Sequence, residues 1–299
     1  MLDSVHATHR FASAPFEPAI VCRNIEGSLH LRSLLSDPQL QHAISGISSL
    51  PILLEMFELL MQELASDEFA ISTISDIIES DIGLTATLLK MVNSPYYGLV
   101  QHVKSPAHAV NLLGVEVVKN IMLSEDIVAQ VKHVSPNVDR VTELNVQANI
   151  RGVLANRFAR LARLRKRQID HCHLSGALST LGELVIETCL ADSDDPSESS
   201  HYPANVIGSS ILDSWLFPDA IVEAVLHQTD EQAPADGLSA FHILHAVRRL
   251  ETVFDQHDQT ISEDFNVESV FVDYPQDADL LVKWFDCFCD YHLDIRSGS

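Results

Sequence analysis

Residues 74–114, ISDIIESDIGLTATLLKMVNSPYYGLVQHVKSPAHAVNLLG, decide the fold. Ile74, Ile77 and Ile78 recur at three and four residues, which places them on one face of a helix; Ser72 is its predicted cap and Asp76 favours its first turn. Asp81 and Gly83 read as a tight reversal. Leu84, Leu88, Leu89 and Val92 line a second helix. It stops at Asn93-Ser94-Pro95, because proline lacks an amide hydrogen and displaces the residue before it from helical backbone. Ser105-Pro106 supplies a cap and a first-turn proline for a third helix, and Gly114 ends it.

Working outward, Leu53, Phe57, Leu60, Met61 and Leu64 mark a helix beginning near Pro51, and residues 25–40 allow one or two short helices in an N-terminal extension. Downstream, Val118, Ile121, Met122 and Ile127 predict a helix over 115–130, and residues 133–139, with Pro136, read as a connector. Ile150, Leu154, Phe158 and Leu161 predict a helix over 141–164. Further helices are expected over 174–190, 206–216, 219–227, 238–254 and 275–292, with ADSDDPSESS (191–200) as a solvated loop. Phe265, Val267, Val270 and Val272 alternate and permit a short strand. The class read from this pattern is all-α, without internal repeat or heptad.

Net charge is -23, which disfavours phosphate backbones and anionic lipid surfaces, so neither nucleic acid nor membrane is an expected partner. The N-terminus lacks the apolar centre of a signal peptide and no run of about 18 apolar residues occurs, so a cytoplasmic location is expected. The five cysteines are scattered and odd in number, which speaks for free thiols.

Charge is unevenly spread. No acid lies between Glu143 and Asp170, where Arg151, Arg157, Arg160, Arg163, Arg165, Lys166 and Arg167 all fall, and no Lys or Arg lies between Asp170 and Val247. Two readings stand: pairing of this basic stretch with acidic neighbours or a second copy, or an anion site at Arg157, Arg160, Arg163 and Arg167, spaced at i, i+3 and i+4.

No Gly-x-Ser-x-Gly elbow, Walker loop or Gly-rich dinucleotide turn is present. His171 and His173 flank Cys172, but side chains two apart on a helix diverge by about 200°, so a zinc site there requires a frayed turn and a further ligand. His242 and His245 can share a helix face but lack a carboxylate in register, and are expected to be exposed or capped; Cys287-x-Cys289 is read with the same caution. Asp81, Asn93 and Ser94 are expected to cap helix ends.

The combination Ile77-Ile78-Glu79-Ser80-Asp81, Leu84-Thr85, Leu88-Leu89, Val92-Asn93-Ser94 and Tyr97-Gly98 strongly resembles the HDOD domain of bacterial signalling proteins. Ser105, Ala109, Leu113 and Gly114 are similar to that family's Ser-x-x-x-Ala-x-x-x-Leu-Gly helix, and the resemblance runs from about Leu50 to Gln228. Ile82 departs from it, standing where the family usually has proline. HDOD domains resemble HD-type metal-dependent phosphohydrolases, whose chemistry needs converging His and Asp ligands to activate water beside a phosphate. Where such an enzyme has Gly-Leu-Leu-His-Asp-x-Gly, this chain has Gly176-Ala177-Leu178-Ser179-Thr180-Leu181-Gly182. Gln147 and Ala204 stand at other ligand positions, and of a His-His pair His227 is kept while Gln228 replaces the second.

The resemblance therefore implies an all-α HDOD fold with an N-terminal helical lobe and a degenerate HD-like lobe: an N-terminal extension over 1–45, an HDOD domain over 46–230 (lobes 46–132 and 140–230), and a C-terminal helical extension over 231–299. It implies a non-catalytic signalling or regulatory protein with no cofactor or metal. Its partners would be a signalling protein or a small anionic ligand, with Tyr96 and Tyr97 on a contact loop. A phosphohydrolase with substitute ligands and an anionic-nucleotide binder at the Arg face remain the alternatives.

Overall fold

The computed structural model describes residues 44, 47, 50, 52–66, 68–93, 103–122, 138–190, 203–215, 217–230, 237–256, 267–271, 274 and 278–297. Ser94, Tyr96, Tyr97, Ile127 and the stretches 25–40, 133–137 and 191–200, on which the sequence raised expectations, lie outside them. All secondary structure among the described residues is helical: α1 (Leu54–Leu64), α2 (Ile71–Glu79), α3 (Ile82–Val92), α4 (Pro106–Leu113), α5 (Val115–Met122), α6 (Val138–Leu161), α7 (Lys166–Ala177), α8 (Leu181–Val185, continuing as a π turn Ile186–Leu190), α9 (Ala204–Ser214), α10 (Asp219–Leu226), α11 (Ala240–Gln256), α12 (Val267–Val270) and α13 (Ala278–Ser297). The protein is all-α.

Local chemistry explains the N-terminal turns. Asp81 is not part of a glycine reversal but the N-cap of α3: one carboxylate oxygen accepts the Leu84 amide at 2.8 Å, and the other accepts the Leu53 amide at 3.0 Å. Gly83 sits inside α3 and is buried. Ser72 does not cap α2, which starts one residue earlier at Ile71; the Ala70 amide is bonded instead by the Glu63 carboxylate at 3.0 Å. Asn93 closes the other end of α3, its side-chain amide donating to the Val103 carbonyl (2.9 Å) and its oxygen accepting the Val103 amide (2.7 Å). Ser105, Pro106 and Gly114 (φ 83°) bound α4 as their residue types require.

Two further expectations give way to packing. The helix expected over 174–190 breaks at Leu178–Thr180, where the Thr180 hydroxyl donates to the Leu144 carbonyl of α6 at 3.2 Å. The strand expected near residue 270 is one helical turn, because neighbouring Val270 and Phe271 both point into the core, and a strand would send them to opposite faces.

The helices enclose two apolar cores. The first gathers Leu60, Ile74, Ile78, Leu84 and Leu88 with Leu144, Leu178, Leu181, Ile211 and Val222; the second gathers Leu154, Phe158 and Cys172 with Leu244, Val247, Trp284 and Phe288. Helix α6, 24 residues and so about 36 Å long, contributes its N-terminal half to one and its C-terminal half to the other. Arg151 lies at the changeover. The C-terminal helix is fixed to α6 by Trp284, which stacks on Phe158 with ring centroids 5.3 Å apart and donates its indole N–H to the Phe158 carbonyl at 3.1 Å.

Two glycines let helices touch through backbone. A Cβ on Gly176 would lie 2.5 Å from the Arg151 carbonyl, drawing α7 onto α6. One on Gly182 would lie 1.7 Å from the Ala204 carbonyl, at the contact of α8 with α9. These approaches put the Leu178–Thr180 corner against α6, α9 and α10.

Candidate functional site

Ser179 and Thr180 are completely buried at this corner. Thr180 is occupied by the Leu144 carbonyl. The Ser179 carbonyl accepts from the Gln228 amide nitrogen at 2.9 Å, and its hydroxyl oxygen accepts from Arg151 Nη1 at 3.4 Å. Arg151, only 5% exposed, also directs Nε to both carboxylate oxygens of Glu251, each at 3.0 Å. Arg248 reaches the same carboxylate at 2.6 Å, so one acid on α11 holds two guanidiniums. Burial draws the Arg151 pKa below its ordinary value, and the Glu251 charge opposes that fall. Around the cluster, Glu183 Oε2, Gln228 Oε1 and Arg248 Nε are buried without a hydrogen-bond partner, which suits bridging water.

This set does not fit a catalytic metal. The groups at the corner are two hydroxyls, an amide and a guanidinium, with the Glu251 carboxylate already taken up by two guanidiniums and no imidazole bonded to the buried Glu183 Oε2, where a hydrolytic centre needs imidazole and carboxylate ligands together. A fixed cation already sits there, and a second would meet its repulsion in a poorly screened interior. Among the described residues no group of three or more His, Cys, Asp or Glu side chains is arranged to hold a metal ion.

The other predicted positions separate. Gln147 turns toward Glu143 of its own helix, 3.4 Å away. Ala204 meets the corner through backbone, at Gly182. His227 faces outward, paired with Asp230 at 2.7 Å and tilted against Phe241, while Gln228 is the residue that points inward. The four arginines do not share a face, because α6 ends at Leu161 and the chain turns before α7. Arg157 and Arg160 stay on α6, Arg163 occupies the turn with φ 55°, and Arg167 is on α7. Arg157 lies over the Tyr291 ring at 4.8 Å, and with Arg160 it lines an open groove of about 430 Å³ shared with Lys283, Asp286, Cys287 and Asp290.

The histidine expectations change as well. Helix α7 is intact at His171-Cys172-His173, and burial pushes the Cys172 thiol up to about 12. His173 sends Nδ1 to the Gly152 carbonyl at 3.0 Å and Nε2 to the Glu79 carboxylate at 2.9 Å. Both partners are acceptors and favour the doubly protonated ring; burial lowers the pKa, but Glu79 and Gly152 outweigh it and raise it. His242 and His245 are not exposed but 1% accessible each. They lie inside the second core, where Tyr274 and the Asp230 carbonyl, both 2.7 Å from His245, satisfy that ring. Burial also pushes the Asp81 carboxyl up to about 6, against the pull of its amide donors.

In the sequence Arg151 stands only as one member of the basic stretch and Glu251 is not singled out, although a signal for their internal pairing exists. Arg151 falls in register with Leu144, Ala148, Ala155 and Phe158, and Glu251 with Leu244 and Val247. A charge on an apolar stripe is a charge that must find a partner inside.

The HDOD domain model matches residues 50–231. The chain belongs to the HDOD family. Two solved structures share the fold: the MmoQ response regulator of Methylococcus capsulatus (15% identity, TM-score 0.59, covering 80% of this chain and 98% of that one) and a virulence factor of Campylobacter jejuni (17% identity, TM-score 0.57, 86% and 97%). No curated protein matches the sequence. In this HDOD protein the matched stretch ends between α10 and α11, so Glu251, which neutralises Arg151, is supplied from beyond it. No helix among the described residues is long and apolar enough to cross a membrane.

Proposed function

We propose that this HDOD protein is a bacterial signalling or regulatory protein that works by binding and not by turnover. One observation carries the reading: the positions that would hold the His-Asp metal ligands are Ser179 and Thr180, and the Arg151 guanidinium reaches to 3.4 Å from the Ser179 hydroxyl with Glu251 as its counter-ion. An internal cation on a long side chain supplies the positive charge around which the helices pack, and it cannot activate water as a divalent metal does. The similarity in fold to a response regulator supports a signalling role, with a second signalling protein as partner.

Metal analysis of the purified protein, with a phosphodiesterase and nucleotidase screen, tests the proposal. Sub-stoichiometric metal and no turnover are expected. Stoichiometric iron, manganese or zinc with activity abolished by a chelator would refute it in favour of a phosphohydrolase with substitute ligands.

A further inference from the structure

The groove between α6 and α13 carries chemistry that the corner site does not use. Its α6 wall presents Arg157, Arg160 and Leu161, spaced at i, i+3 and i+4 on one face of the helix. Its α13 wall presents Asp286 and Asp290, one turn apart. Val282, four residues before Asp286, and Leu293, three after Asp290, continue that exposed face. The buried stack of Trp284 on Phe158 holds the two helices together, so both walls belong to the packed fold.

The charges of the two walls do not neutralise each other. Arg157 lies over the Tyr291 ring and Arg160 donates to Asn156 at 2.7 Å, and among the described residues no ion pair joins either of them to Asp286 or Asp290. Lys283, a cation on the α13 wall, is held by Asp279 of its own helix at 3.4 Å. A basic wall and an acidic wall therefore stand side by side, with the apolar Leu161, Val282 and Leu293 exposed upon them. Such a surface is complementary to itself.

We infer that a second copy of this chain docks on this groove, forming a two-fold dimer in which α6 of each protomer lies on α13 of the other. A two-fold axis along the groove exchanges its walls, so the α6 guanidiniums of each copy meet the α13 carboxylates of the other, and Leu161 closes against the exposed apolar side chains of the facing helix. An axis across the groove would instead set α6 on α6 and oppose like charges. A chain of net charge -23 repels its own copies at acidic surfaces, and the arginine wall reverses that repulsion locally. The inference goes beyond the preceding proposal, since assembly through this groove stands whether or not the Ser179 corner is inert.

The test is the mass of the full chain in solution, read by sedimentation equilibrium from about 1 to 100 µM. Twice the 33.1 kDa of one chain is expected. R157E/R160E makes both walls acidic and D286R/D290R makes both basic, so each double variant should weaken dimerisation by roughly a hundredfold or more while its far-UV circular dichroism stays that of the parent. Mixed in equal amounts, the two variants should recover the dimer mass, because opposite charges again face each other across the axis. A monomer throughout the range, which would leave the groove to another partner, a dimer unmoved by either pair of substitutions, or folded variants that stay monomeric when mixed would overturn the inference.

Discussion

Glu251→Ala is expected to destabilise the protein considerably more than Arg151→Met, although the two substitutions remove opposite ends of one ion pair. Removing the carboxylate leaves Arg151, with 7% side-chain exposure, and Arg248, with 23%, as two adjacent cations with no carboxylate bonded to either. Breaking a buried pair in this way costs about 3–5 kcal/mol. Removing Arg151 instead leaves Glu251 with Arg248 at 2.6 Å and 17% exposure, so no charge is stranded. Methionine fills most of the vacated volume, and the loss reduces to one ion pair and the long bond to Ser179, about 1–2 kcal/mol. Urea unfolding followed by far-UV circular dichroism reads the difference, with unchanged m-values as the check that only stability moved. Equal losses, or a larger one for Arg151→Met, would refute the idea that one acid neutralises both guanidiniums, the buried Arg151 and the half-buried Arg248.

Three other outcomes follow from particular contacts. Gly182→Ala forces a methyl into the Ala204 carbonyl, and should lower stability by roughly 3 kcal/mol or more, read as loss of soluble protein or a large fall in Tm. Trp284→Ala removes the ring stacked on Phe158 and its bond to the Phe158 carbonyl, and should cost about 3–5 kcal/mol by the same urea assay. For His173 the folded pKa is raised above 6.5, so the folded state holds the proton more tightly; its stabilisation is complete below pH 6.5 and fades as pH rises through the folded value. Glu79→Gln should flatten that slope in unfolding free energy measured from pH 6 to 9, and a slope that survives would assign it to another group.

Much of the fold was legible because it is written in neighbours. Asp81, Asn93, Ser105, Pro106 and Gly114 act on backbone a few residues away, and the apolar repeats of α1, α3 and α6 need no knowledge of what they pack against. Ser72 failed as a cap because the helix begins one residue earlier, at Ile71, and its N-terminal amides take no side-chain cap. The break at Leu178–Thr180 was hidden because its cause, the Leu144 carbonyl, lies on another helix. The same holds for the corner itself. Ser179 and Thr180 were singled out as replacements for metal ligands, but Arg151, Gln228 and Glu251 converge on them only through three-dimensional packing. The Arg157 to Arg167 face assumed a helix running through residue 167, whereas α6 stops at Leu161 and the chain turns.

The threading of α6 through both cores bears on how this protein could be exchanged between genes. A segment copied by the boundaries of the family match, ending at residue 231, would carry Leu154, Phe158 and Cys172 but leave behind Leu244, Val247, Trp284 and Phe288. It would arrive sticky, with half of its longest helix stripped and Arg151 deprived of Glu251. A segment that keeps the second core and the counter-ion of Arg151 must therefore carry α11 and α13 along with the matched helices.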